Sequence, residues 1–412
     1  MRKINVGFLG CGNIGGGVWA LLDDMRADIA RCFQIEFDVK RMLVRALDEP
    51  RAVQVPLDRL TTNAADILED EEIDLVCEYM GGEQPAADFM LRALKNGKSV
   101  VTANKMALSL HWQELHEAAE QSGAHLYYEA SVCGAIPVIR TIRESMTGSR
   151  IDKIFGIVNG TTNYILTQMQ EKGLPYEQAL SQAQELGLAE PDPTSDVEGY
   201  DAAYKLSILV ALCFGVYVRP NEIARTGITQ VDIRDIRLGQ QLGLRLKLLA
   251  QASCQDGRVF ACVTPTFVTA DNQLANVMGA FNGVLLHGHA CDDIFLYGRG
   301  AGSQPTASAI VADMIQSGRK QAAAPAVVAD GDAQLSTSTD KRYYIRLNSN
   351  DAEKTTEICQ NISAKVCTLQ DENETFTVVL TAAVCEKELS ALVQKLQALS
   401  EQIVVWPFEG NV

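Results

Sequence analysis

Apolar residues enter this chain in short runs that stop at glycine or at a polar cluster. Ile4–Leu9 (INVGFL) halts at Gly10, and Asp38–Ala46, Ile73–Tyr79, Ser99–Thr102 and His125–Glu129 repeat the pattern. Such lengths predict strands. Between them lie stretches with helical spacing: one from Val18, one over 85–96 and one over 107–121. Pro85 near the start of 85–96 and Gly97 just past its end have the polarity expected of a helix. Strand and helix alternate, which predicts α/β architecture with a parallel sheet covered on both faces.

The pattern changes after Arg150. IDKIFGIVNGTTNYIL reads as strand, polar loop and helix, with further helices near 176–186 and 201–217. VFACVTPTFVT and NGVLLHG read as strands, and a second glycine-rich loop at Gly298–Gly302 opens another helix. Residues 318–338, rich in Ala, Ser, Thr and Asp, read as a linker. A small α/β module follows: strand 342–347, helix 351–363, strand 375–381, helix 386–399 and strand 402–406, with 363–369 as the place for a fourth strand. The expected domains are 1–135 for a dinucleotide (with helix 304–318 packing back), 136–303 for catalysis and dimerisation, a linker at 319–339, and a terminal module at 340–412.

Composition narrows the function. The 412 residues carry a formal charge of −16, unsuited to a phosphate backbone, so nucleic acid is set aside. The longest nearly apolar run, Ile208–Val218, is too short to span a bilayer, so no membrane is expected. Eleven irregularly spaced cysteines without a CxxC pair predict reduced thiols in the cytoplasm. His287 and His289 lack companions at metal-ligand spacing, and His111 and His116 do not form HExxH, so no zinc site is expected.

Gly10, Gly12 and Gly15 form GxGxxG directly after a predicted strand and before a helix, the context that gives this motif meaning. The first glycine permits a tight turn, the second lets backbone approach a pyrophosphate, and the helix start supplies N–H groups and positive dipole. At the end of the second strand stand Val44-Arg45-Ala46-Leu47, with no acidic residue to hold a ribose hydroxyl. Lys40, Arg41 and Arg45 instead favour a 2′-phosphate, so NADPH is the expected cofactor, with NADH left open. Cys11 lies inside the glycine loop and reads as a small filler, or as a thiol activated by the helix start.

The densest chemistry lies in AQELGLAEPDPTSDVEGYDAAYK, residues 183–205. Glu190, Asp192, Asp196, Glu198 and Asp201 crowd ahead of Lys205, and Asp201 and Lys205 share a helix face at a spacing of four. With VVTANK (100–105), YEASVCGAIP (128–137), NGTTNYIL (159–166) and GRGAGSQPTA (298–307), this stretch resembles homoserine dehydrogenases in sequence and in order over about residues 1–320. With no kinase segment before it, the chain resembles the monofunctional form.

The resemblance implies reversible reduction of L-aspartate 4-semialdehyde to L-homoserine with NAD(P)H, in the pathway to threonine, methionine and isoleucine. Aldehyde reduction needs a hydride at carbon and a proton at the developing alkoxide, and a lysine near neutrality can give that proton. By resemblance Lys205 is that acid/base, Lys105 orients the reacting oxygen beside the nicotinamide, and Asp201 joins a polar network with Asp196. Glu190 would bind the substrate ammonium, and Asn159, Gly160 and Thr161 the carboxylate. Gly10, Gly12, Asn13, Ile14, Gly15, Arg45, Thr102, Lys105 and Gly302 would hold the cofactor. Glu129, Val132, Gly134 and Ile136 match positions that hold a monovalent cation, typically sodium; Cys133 and Ala135 stand where glycines are frequent. Asp192 and Glu198 are expected to be structural or solvated. A homodimer or higher homo-oligomer is implied.

The terminal module resembles an ACT domain. Its first loop, Asn348-Ser349-Asn350-Asp351-Ala352, lacks the usual Pro-Gly, so threonine feedback and a role confined to assembly both stay open. Two rival readings remain at this point: another amino-acid dehydrogenase on the same scaffold, and a non-catalytic NAD(P)- and amino-acid-sensing protein.

Overall fold

A computed structural model describes residues 1–319, 334–335 and 340–410. The chain divides into two compact units. Met1–Asp152, Tyr204–Ile223 and His287–Ala333 make up the first; Lys153–Ala203, Ala224–Leu286 and Gln334–Val412 make up the second. The expected catalytic span is thereby shared between them.

In the first unit β1 (Arg2–Leu9), β2 (Ile35–Leu43), β3 (Leu60–Thr61), β4 (Leu75–Glu78), β5 (Ser99–Thr102) and β6 (Leu126–Tyr127) form a parallel sheet in the order β3-β2-β1-β4-β5-β6. Val6, Phe8 and Leu9 of β1, Leu75, Val76 and Cys77 of β4, and Val100 and Val101 of β5 are all buried. Continuous apolar strands of this kind belong to a sheet covered on both faces. The order reverses at β1 and β4, and in a Rossmann sheet the ligand crevice lies outside the carboxyl ends of strands at that reversal. Helix Asn13–Asp24 and helix Ser303–Gly318 share one core with the sheet, in which Val18 and Leu22 meet Ala307, Ile310 and Met314.

Three expectations shift here. The first helix starts at Asn13, not near Val18, so Gly15, Gly16 and Gly17 are helical. They are glycines because neighbours leave no room: a Cβ on Gly15 would meet the Gly10 carbonyl at 2.5 Å, and one on Gly17 the Ser303 hydroxyl at 2.3 Å. The second strand runs Ile35–Leu43, three residues early, because Gln34 turns left-handed (φ 57°) and ends the preceding helix Arg26–Phe33. The stretch expected as one helix over 107–121 is two, Lys105–Leu110 and Trp112–Ser122. Asn104 starts the first by accepting a hydrogen bond from Ala107 N. His111 breaks the run, and its ring bridges Glu83 and Glu114.

The second unit is built on β7 (Ile151–Ile157), β8 (Ala224–Arg225), β9 (Leu244–Gln255), β10 (Arg258–Thr269) and β11 (Phe281–Gly288); β12 (Asp292–Arg299) belongs to the first unit. Strands β9 and β10 form a long hairpin. Its turn is Asp256-Gly257, both at positive φ, the pair that a tight hairpin favours. The sequence reading did not anticipate β9 or helix Ile233–Gln241. β9 is buried on both faces from Leu246 to Ala252, so no alternation marks it.

Strands β13 (Gln334–Leu335), β14 (Arg342–Leu347), β15 (Ala364–Asp371), β16 (Glu374–Thr381) and β17 (Ile403–Glu409) follow. The expected linker lies outside the described residues except Arg319, Gln334 and Leu335, and the last two pair with β10. The terminal module has the βαββαβ order, with β15 as the strand expected at 363–369. Its antiparallel sheet runs β17-β14-β16-β15. Ile345, Leu347, Val379, Leu392 and Leu396 make its core. β17 also pairs with β10 (Phe267↔Phe408, Val268↔Glu409), so module and catalytic strands share one sheet. A buried ion pair, Arg346 Nε to Asp235 Oδ1 at 2.6 Å, adds a second tie.

Candidate functional site

The glycine loop sits at the carboxyl end of β1. Gly10 is left-handed (φ 110°) and its N–H meets the Leu43 carbonyl at the end of β2, 3.2 Å away. Gly12 starts the helix with no side chain capping it, and a Cβ there would touch nothing within 4 Å. The first helical amides at Asn13, Ile14 and Gly15 therefore follow an open, uncapped start, which suits an anionic pyrophosphate. Gly302 (φ 118°) precedes helix Ser303–Gly318, and the Ser303 hydroxyl donates to the Asn13 carbonyl at 2.8 Å, holding the second glycine loop beside the first.

Arg45 is exposed, two residues past β2. Lys40 is paired with Glu72, and Arg41 donates to the Lys40 and Asp58 carbonyls. Sequence reading missed Arg51, which donates to the Ala46, Leu47 and Glu49 carbonyls and lies close enough to Cys11 to favour its thiolate. Burial nevertheless outweighs that field and pushes the Cys11 thiol up, which corrects the activated-thiol reading in favour of the filler.

Thr102 and Lys105 lie at the carboxyl end of β5, next to β4. Thr102 is fully buried, and its hydroxyl donates to Glu78 Oε2 at 2.7 Å. The Thr102 oxygen accepts from Asn104 N at 2.9 Å. Lys105 is the first residue of helix Lys105–Leu110. Glu78, which closes an otherwise apolar strand (LVCE), was missed; its only signal was a charge ending a buried run.

Lys205 is buried at 9% exposure on helix Tyr200–Phe214, one turn after buried Asp201. The apolar face that follows, Leu206 and Ile208–Val210, holds this helix in the core. Asp201 lies in the second unit, where Asn159 gathers the acidic cluster. Its amide donates to Asp196 Oδ1 at 2.7 Å and to Asp201 Oδ2 at 2.9 Å. Its carbonyl oxygen caps helix Gly160–Lys172 at Thr162 N, 2.8 Å away. One side chain thus starts the helix and joins two carboxylates brought from about forty residues away. Thr161 donates to the Leu188 carbonyl at 2.6 Å, and Gly160 is needed because a Cβ would meet the Ala280 carbonyl at 2.9 Å. Glu190 is exposed near the start of the segment. Asp192 caps Thr194, and Glu198 accepts from Thr229, so both have structural partners.

Glu129, Val132, Gly134 and Ile136 occupy one buried turn. Both Glu129 oxygens accept backbone N–H groups, from Ile139 at 2.9 Å and Arg140 at 2.8 Å. Burial pushes this carboxyl up while those bonds pull it down. Cys133 and Gly134 are both left-handed, at φ 57° and 53°. Among the described residues no group of three or more His, Cys, Asp or Glu could hold a metal. No helix among them is long and apolar enough to cross a membrane.

Two family models match the chain: "Homoserine dehydrogenase, NAD binding domain" over residues 10–129 and "Homoserine dehydrogenase" over 137–315. The Bacillus subtilis (strain 168) homoserine dehydrogenase is 40% identical over 315 residues, spanning 76% of this chain and 73% of that protein. A crystal structure of a homoserine dehydrogenase from Thiobacillus denitrificans superposes with a TM-score of 0.91 at 36% identity, covering 99% of each chain. A hyperthermophilic archaeal homoserine dehydrogenase in complex with NADPH superposes with a TM-score of 0.65 at 27% identity, covering 76% of this chain and 97% of that one. The fold and these likenesses agree, and the chain belongs to the homoserine dehydrogenase family.

Proposed function

We propose that this protein catalyses the reversible NAD(P)H-dependent interconversion of L-aspartate 4-semialdehyde and L-homoserine. The observation that carries the reading is buried Lys205, one helical turn from an Asp201 that Asn159 joins to Asp196. The bound dihydronicotinamide supplies the hydride. Lys205 gives the proton to the alkoxide oxygen as the carbonyl is reduced and takes it back in the reverse direction. Lys105 orients that oxygen, and a donor aimed at a developing oxyanion is worth about 10²–10³ in rate. Glu190 binds the ammonium of the amino acid, Gly160 and Thr161 face its carboxylate, and Asp196 and Asp201 hold the surrounding network.

The cofactor reading rests on the open start of helix Asn13–Asp24, with Gly10, Gly12, Asn13, Ile14 and Gly15 around the pyrophosphate and Thr102, Lys105 and Gly302 along the same sheet edge. Preference for NADP is supported by exposed Arg45 beyond β2. Sodium at Glu129, Val132, Gly134 and Ile136 is supported by four positions in one buried turn; loss of activity on exchange of Na⁺ for a bulky organic cation is the expected result. Feedback by threonine through the terminal module, a homodimeric or larger assembly, and a cytoplasmic setting for the eleven free thiols belong to the same reading. Homoserine-dependent reduction of NADP or NAD tests it. Turnover with homoserine and none with aspartate supports the assignment; ammonia release from aspartate overturns it.

A further inference from the structure

We infer that Glu78 is a positioning residue for Lys105: its single carboxylate ties the loop after β4 to the turn that presents the lysine. The inference rests on the role given to Lys105 above. Two flexible connections meet at this edge of the sheet. After β4 come Tyr79, Met80, Gly81 and Gly82, the two glycines left-handed at φ 73° and 70°, where an added Cβ would meet nothing within 4 Å. β5 ends at Thr102, and Ala103 and Asn104 lead to Lys105 at the first turn of a six-residue helix. Short glycine loops of this kind do not hold a fixed geometry by themselves.

The carboxylate supplies what they lack. Glu78 Oε1 accepts from Met80 N at 2.7 Å and from the Asn104 amide at 3.4 Å, while Oε2 accepts from the Thr102 hydroxyl at 2.7 Å. Burial pushes the Glu78 carboxyl up, and the bonds made to it pull the other way. Asn104 completes the strap: its amide donates to the Gly82 carbonyl at 2.7 Å and its oxygen caps the Lys105 helix at Ala107 N, 3.1 Å away. Glu78, Thr102 and Asn104 are all buried, so these bonds do not compete with water. Three donors converging on one side chain call for an acceptor-only group, which among side chains is a carboxylate. A glutamine of the same shape would turn its own N–H₂ toward one of those donors and open one side of the strap. Lys105 would then lose its aim while the glycine loop at Gly10–Gly15, whose turn and helix start are set by its own glycines, kept its hold on the cofactor.

The test is a double-mutant cycle on the full-length protein. Glu78→Gln should lower kcat for homoserine oxidation about 10- to 100-fold, the cost of a small misplacement. The dissociation constant for NADPH, read from nicotinamide fluorescence, should stay within about threefold. In a Lys105→Ala background the same substitution should change kcat less than about twofold, because the group it aims is gone. Equal fold-losses in both backgrounds, wild-type kcat in Glu78→Gln, or an NADPH constant that rises as much as kcat falls would each overturn the inference. If Glu78→Gln does not fold, Asn104→Ser keeps a cap on the Lys105 helix but removes the amide that donates to Glu78 and Gly82; it should give a smaller loss, equally absent from the Lys105→Ala background, and additivity there overturns the inference as well. A wild-type enzyme that does not oxidise homoserine overturns the proposed function instead.

Discussion

The dinucleotide edge of the first unit and the acidic corner of the second solve the same problem by opposite means. At the first, ligand-facing groups are mostly backbone: glycines admit a close approach, and a helix start is left without a cap. The side chains there, Glu78, Thr102 and Asn104, are spent on one another. At the second, the groups are side chains from residues 159, 196 and 201, joined by one asparagine amide. On the proposed function, pyrophosphate recognition travels with a short local motif, whereas amino-acid recognition is assembled from distant segments and depends on the residues that join them.

Substitutions at the two places should therefore fail differently. The largest effect is expected for Lys205→Ala: kcat should fall about 10²–10⁴-fold, as for loss of a general acid. Its affinity for NADPH should be nearly unchanged in a fluorescence titration. Unaltered turnover would remove Lys205 from the chemistry. Gly15→Ala should do the reverse. Its Cβ would lie 2.5 Å from the Gly10 carbonyl, so the loop must move. The NADPH dissociation constant should rise at least about tenfold, with KM for homoserine little changed. Asn159→Ala should raise KM for homoserine about tenfold by releasing Asp196 and Asp201. Loss of the helix cap should also cost about 1 kcal/mol in denaturant unfolding. An unchanged KM with the stability loss alone would reduce Asn159 to a cap.

The last effect leaves activity aside. In the first unit burial holds the His116 imidazole down at about 4, against an ordinary 6.5, with Arg143 adding to the effect. Between those values the unfolded chain binds a proton that the folded chain does not. The stability this group contributes is complete above pH 6.5 and is lost as the pH falls through 4, up to about 3 kcal/mol. Chemical unfolding across that window should show the slope, and His116→Gln should lack it.

The sequence made the local parts legible. The alternation of strands and helices, the glycine loop and the helix at Gly160–Lys172 all follow from spacing and caps. Boundaries moved where a tertiary neighbour decides them: the glycines at 15–17 read as a loop until Gly10 and Ser303 are seen to crowd them. β9 was hidden because a strand buried on both faces has no polar side to betray it. The acidic stretch announced chemistry, but the part of Asn159 in gathering it could not be read from a residue some forty positions upstream. Glu78 was hardest to see, since its meaning lies wholly in what two other loops offer it.

The two-pair ladder between β17 and β10 bears on any attempt to trim this protein. Deleting the chain from Asp340 onward would uncover the edge of β10 at Phe267 and Val268, both wholly buried, and strip Asp235 of the guanidinium that neutralises it. A bare apolar strand edge invites pairing with other copies, and an orphaned interior carboxylate is a heavy penalty. The shortened protein should therefore come out of cells as aggregate, so a lost response to an effector in such a truncation would say nothing about where that effector binds.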